Sequence, residues 1–217
     1  MSSWPGRERQ PRAPGWPATL RDGPVEVRPL RLSDARAWQR VRTASAAWLI
    51  PWEATTPGRR APVRPSLTSY VTTWVRLRRQ AAHGWTLPFA VVHEGAFAGQ
   101  VTVGGVTRVG RPGAYVGYWI DRELAGRGII PTALALVVDH CFTEVGLQRL
   151  EANVRPENAA SRRVVEKLGF TVSGTRSRFL YIDGDWRDHL CYVVTSDEVP
   201  EGMLTRWHAS RGDARPV

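Results

Sequence analysis

The sequence predicts a mixed α/β fold, on three observations. Strand-like stretches and runs of helical period follow one another along the chain. The strand-like "GAYVGYWI" (113–120) runs straight into "DRELAGRGIIPTALALVVDH" (121–140), where two glycines flank Arg127 ahead of an apolar helical pattern. Further on, "LYIDGDWRDHLCYVVTS" (180–196) holds an Asp-Gly pair between β-type runs, a strong hairpin signal.

Each element has a local reason. "VEVRPL" (25–30) alternates and reads as the first strand. "LSDARAWQRVRTASAAWL" (32–49) reads as one helix, with Ser33 or Asp34 as cap and Leu32, Trp38, Val41 and Trp48 as apolar sites. Four prolines make "IPWEATTPGRRAPVRP" (50–65) a loop. Ser66 opens a second helix, which Gly84 ends. "TLPFAVVHEGAFAGQVTVGGVT" (86–107) gives two strands around its "EGA" turn, and 113–120 a further strand. In the helix that follows, Ile130, Leu134, Val137, Val138 and Cys141 form one stripe. "LQRLEANV" (147–154) is a strand, and "PENAASRRVVEKLG" (156–169) a short helix closed by Gly169. Two or three strands complete the pattern. Residues 1–22 read as a basic tail, 23–197 as the folded domain and 198–217 as a loose C-terminal tail.

Composition narrows the functional classes. No stretch approaches the roughly 20 apolar residues of a membrane span. The first 23 residues carry no apolar segment, so neither a secretory signal nor a membrane partner is expected, and the chain is expected to be cytoplasmic. Cys141 and Cys191 are then expected as reduced, buried thiols. Five histidines and two cysteines show no metal-ligand spacing. The formal charge is +10 and nearly all arginine, Lys167 being the only lysine. Residues 1–43 hold nine arginines against four acids. Such a front suits an anionic partner, whether a phosphate-bearing ligand, an acidic protein or ribosomal RNA. A solvated basic tail reads equally well.

Gly126 and Gly128 sit where a strand ends and a helix begins. The first N–H groups of a helix lack intrahelical acceptors and carry the positive end of its dipole. Bare glycines let a pyrophosphate approach them. Pro131 costs nothing in a first turn. The pattern is neither a dinucleotide fingerprint, since the third glycine is absent, nor a P-loop, since no Gly-Lys-Ser/Thr follows.

At this point "LAGRGII" after "GYWI", followed by "NAASRRVVEKLGF", resembles the GNAT superfamily of acyl-CoA N-acyltransferases. "WLIPWEATTP" (48–57) and "DGDWRDH" (183–189) are similar to its RimJ/RimL branch, which acetylates the α-amino group of ribosomal-protein N-termini. The resemblance covers about residues 24–196. It implies a mixed, mostly antiparallel twisted sheet with helices on both faces, and acetyl-CoA as co-substrate. The family's Gln/Arg at the start of the cofactor motif is replaced here by Glu123. By the same resemblance the CoA site comprises the strand residues Tyr118, Trp119 and Ile120; the turn Leu124, Ala125, Gly126, Arg127, Gly128 and Ile129; and Asn158, Ser161, Arg162 and Arg163. Arginine suits phosphate through bidentate geometry. Arg162 and Arg163 diverge by about 100° on a helix, so one of the two is expected to reach the phosphates.

The implied chemistry is attack of a neutral amine on a thioester. In some relatives a Glu is the base and a Tyr the acid; those positions fall here on Asn153 and Val165, and a second family base position falls on Leu180. The base candidates are therefore Glu53 in the "PWE" loop and Glu151, on the same strand face as Asn153. Each also reads as an ordinary surface or salt-bridged acid. Ser161 matches the branch's proton donor to the thiolate, and Asn158 a cofactor contact that also serves as a helix cap. Three functions follow in order: an N-terminal protein acetyltransferase acting on a ribosomal protein, a small-molecule amine acetyltransferase, and a non-catalytic acyl-CoA- or ribosome-binding protein.

Overall fold

Strands rich in β-branched residues pair in chain order across most of one sheet. A computed structural model of the chain describes residues 14–58 and 64–212. The first 13 residues of the expected N-terminal tail, residues 59–63 of the proline loop and residues 213–217 lie outside the described ones. The strands are β1 (Leu20–Asp22), β2 (Val25–Pro29), β3 (Thr86–His93), β4 (Ala96–Thr107), β5 (Gly113–Ile120), β6 (Arg149–Val154), β7 (Thr171–Ile182) and β8 (Asp185–Thr195). Their order in the sheet is β1-β2-β3-β4-β5-β6-β8-β7. Every pairing is antiparallel except β5 with β6.

Two hairpins have the predicted turn chemistry. Glu94 and Gly95 join β3 to β4, with φ of 50° and 80°. Asp183 and Gly184 join β7 to β8, with φ of 50° and 78°. Positive φ at both central positions is the twist a two-residue hairpin needs. The final run is two long strands, and the register of the β7–β8 pair shifts between Arg176 and Leu180, where Arg178 has φ 49°.

The helices are α1 (Ala35–Ala44), α2 (Ala46–Leu49), α3 (Leu67–Ala82), α4 (Ile129–Thr143), α5 (Ala159–Lys167) and α6 (Met203–Gly212). α1 and α3 pack on β4 and β3, while α4 packs on β1, β2, β4 and β5 and carries α6 on its outer side. β3 is accordingly buried at seven of its eight positions, which requires cover on both faces. Ser66 caps α3 by accepting from Ser69 N at 3.1 Å. Among the described residues no helix is long and apolar enough to cross a membrane. Cys141 and Cys191 are free and buried, and burial pushes the Cys141 thiol up to about 12.

Four expectations are corrected. The helix predicted over 32–49 is two helices broken at Ser45, whose buried hydroxyl donates to Asp121 Oδ1 (3.1 Å) and accepts from Arg122 N (3.1 Å). Meeting these distant partners outweighs helix continuity. The described end of the N-terminal tail is structured. Trp16 meets Phe89 edge-on at 5.1 Å, the carbonyl of Gly15 lies 2.6 Å from the buried His140 Nε2, and β1 pairs with β2. The C-terminal stretch is not loose. Its helix α6 buries Met203 and Trp207 against α4. Amphipathic period missed it because only these two positions are fully buried. α4 itself is buried nearly all round rather than along one stripe, because α6 covers the side away from the sheet.

Candidate functional site

β5 and β6 run parallel and pair only at their start, Gly113 to Tyr115 with Arg149 to Glu151. Beyond that the two strands part, and a crevice forms at their carboxyl ends. A continuous open cleft of about 1320 Å³ occupies this region. That exceeds what a small ligand needs and leaves space for two substrates side by side.

One end of the cleft is the glycine turn. Gly126 and Gly128 both have φ +80°, the left-handed conformation that favours glycine. A side chain on Gly126 would meet nothing within 4 Å, so the space above its backbone is open. Thr132 N donates to Gly128 O at 3.1 Å and begins the α4 ladder. The N–H groups of residues 126–130 find no acceptor among the described residues, and Gly126, Arg127, Gly128 and Ile130 line the cleft at the positive end of a 15-residue helix. Arg127 lines the same end. Of the two consecutive arginines of α5, Arg163 lines the cleft, whereas Arg162 turns to Tyr192 Oη (3.2 Å) and Glu166 (3.6 Å). Leu124 packs on the core and the Ile129 side chain is buried in it, so these two offer backbone alone.

The middle of the cleft is set by strand alternation in β5 and by the start of α5. Tyr118 points to one face and Trp119 to the other. The hydroxyl of Tyr118 lies 2.8 Å from Ser161 Oγ and 3.1 Å from Ser161 O. Burial pushes this tyrosine hydroxyl well above its ordinary value, so it stays protonated. Asn158 caps α5 by accepting from Ser161 N at 3.1 Å, and its side chain also borders the cleft.

The far end is aromatic. Trp38, Trp48, Trp52 and Trp119 line it together with Arg42 and Glu53. Arg42 stacks over Trp119 (5.1 Å) and Trp38 (5.7 Å) and forms an ion pair with Glu53. Glu53 thus lines the cleft with its carboxylate shared with a cation. Glu151 does not line the cleft. Arg149 Nη2 (2.9 Å) and Arg176 Nη2 (2.5 Å) take its two oxygens, and the Cys191 thiol also points at it. Asn153 stands beside Glu151 on β6, again off the cleft, with its buried Oδ1 lacking a hydrogen bond. The sequence reading of these two as catalytic thus has no contact with the cleft to rest on. It also missed Arg42, Arg76, Lys167, Trp207 and Arg211, which all line the cleft. Only Lys167, one helical turn beyond Arg163 on the same face, carried a signal in its spacing.

A glycine turn at a helix start beside a splayed parallel strand pair forms a cleft with donors suited to a bound phosphate group. Residues 25–171 match the family described as "Acetyltransferase (GNAT) domain", and the chain belongs to it. The structure of Mycobacterium smegmatis RimJ, solved in complex with CoA-disulfide, is 44% identical with a TM-score of 0.86, over 91% of this chain and 97% of that one. The [Ribosomal protein uS5]-alanine N-acetyltransferase of Escherichia coli is 28% identical over 166 residues, 71% of this chain and 79% of that one. Bacillus subtilis YjcK is 41% identical over 85 residues, and there the alignment spans only 47% of the relative's length.

Proposed function

We propose that the protein transfers an acetyl group from acetyl-CoA to the α-amino group of a protein N-terminus, that of a ribosomal protein in the first instance. The observation that carries this reading is one cleft joining helix-start N–H groups to an aromatic groove, with neither an acceptor for the first nor a free carboxylate in the second among the described residues. The N–H groups of the glycine turn, with Arg127 and Arg163 beside them, have the donor chemistry a pyrophosphate requires. The thioester end then lies toward Tyr118 and Ser161, where Ser161 would return a proton to the departing thiolate. Asn158 fixes the start of α5 and thereby the position of Ser161.

The acceptor class follows from what the cleft lacks. Glu53 is paired with Arg42. Glu157 also borders the cleft, but the hydrogen bond from its own backbone N–H, helped by Arg155, holds its carboxyl below the usual carboxylate range. Neither is poised to take a proton from a strongly basic amine. An α-amine, with a pKa near 8, is substantially neutral at physiological pH; a lysine ε-amine, near 10.4, is not. The Escherichia coli relative is named for the alanine of ribosomal protein uS5, which directs the choice among α-amines. A polyamine acceptor is disfavoured by Arg42 and Arg76 in the walls.

The test is thiol release from acetyl-CoA with ribosomal-protein N-terminal peptides, their N-formylated counterparts, spermidine and an aminoglycoside, with product masses read in parallel. Acetylation restricted to free α-amines is expected. Turnover on the small amines alone would replace this reading with a small-molecule transferase.

A further inference from the structure

α6 lies beyond the region matched to the family, which ends at residue 171, yet it forms part of the cleft wall. Its seat on α4 is specific. Trp207 is buried and donates from Nε1 to Thr132 Oγ1 at 2.9 Å, within the first turn of α4. Asp139 of α4 accepts from Met203 N (2.5 Å) and Leu204 N (2.9 Å), fixing where α6 begins. One turn past Trp207, Arg211 lays its guanidinium over the indole at 5.6 Å. A side chain on Gly128 would stand 3.5 Å from Trp207 and 4.0 Å from Arg211 Nη1. Arg211 thus hangs directly over the glycine turn, beside the free N–H groups, and forms no ion pair among the described residues.

We propose that Arg211, held by Trp207 against the start of α4, is a cofactor-binding residue that grips the diphosphate of CoA, making α6 a third wall of the cofactor site. A guanidinium stacked on an indole is partly ordered before it binds, so less is lost on meeting a phosphate. Its place at Gly128 assigns it to the diphosphate rather than to the 3′-phosphate. Arg163 and Lys167 line the cleft from α5. The inference rests on the cleft being the CoA site but not on the identity of the acceptor.

The experiment is calorimetric titration of the full chain and of Arg211→Ala and Arg211→Lys with CoA, dephospho-CoA and pantetheine, together with the thermal midpoint of each variant. Arg211→Ala is expected to weaken CoA and dephospho-CoA equally, by about tenfold or more, to leave pantetheine and the thermal midpoint unchanged, and to be partly restored in Arg211→Lys. CoA affinity within twofold of the parent would overturn the proposal while leaving the cofactor reading intact. A loss for CoA without one for dephospho-CoA would overturn the assignment to the diphosphate. Equal loss for pantetheine, or a lowered thermal midpoint, would reduce Arg211 to a structural part of α6. No binding of CoA by the parent protein would overturn this proposal and the cofactor reading together.

Discussion

The Ser161 hydroxyl has a single proton, and Tyr118 decides where it can go. If Tyr118 donates to Ser161 Oγ across their 2.8 Å contact, the serine proton is free to point into the cleft. If Tyr118 donates to the Ser161 carbonyl, the serine proton is drawn back to Tyr118. Ser161→Ala is therefore expected to lower kcat by about 10²-fold with little change in CoA affinity. Tyr118→Phe should lower it less, because Ser161 keeps its proton. Rates at saturating acetyl-CoA and separate binding titrations check both. At this scale the sequence was informative where a role is local. Asn158 and Ser161 are three residues apart on one helix start, and their cap was legible. Arg42 with Glu53, or Arg211 over Gly128, joins elements far apart in the chain, and no spacing rule reports such a meeting.

At the level of elements, α6 depends on a cap supplied by another helix. Asp139 satisfies two of its first N–H groups. Asp139→Ala leaves them without that acceptor, a loss of about 1–2 kcal/mol. The expected result is a lower urea midpoint, with faster hydrogen exchange in α6 than in α4. Uniform exchange through both helices would show that α6 needs no such cap. Strands and hairpins were readable because alternation and the Glu-Gly and Asp-Gly turns are local signals. β1 was too short to alternate visibly. α6 was hidden because its first turn is capped from α4 and only Met203 and Trp207 of its residues are fully buried.

For the molecule as a whole, buried His189 gives stability a pH dependence of known sign. Burial is the main cause that lowers its pKa; it is 3% exposed, and its Nδ1 lies 3.0 Å from Arg187 O. As pH falls below about 6.5, the unfolded chain binds a proton that the folded chain refuses, so stability is lost toward acid. His189→Gln is expected to flatten the dependence of the urea midpoint between pH 7.5 and 5; an unchanged slope would rule this histidine out as its source. The sheet order could be inferred only through resemblance, since nothing in a strand's own pattern says that β8 inserts between β6 and β7. The late position of α6 has a consequence during synthesis. The cleft draws on residues from Trp38 to Arg211, a span that takes roughly 10–35 s to translate at ordinary speeds. From the completion of α4 at Thr143 until Trp207 is added, roughly 3–13 s at the same speeds, the outer side of α4, apolar where Met203 and Trp207 will settle, stands bare on the nascent chain. The growing polypeptide therefore needs shelter there until α6 has emerged.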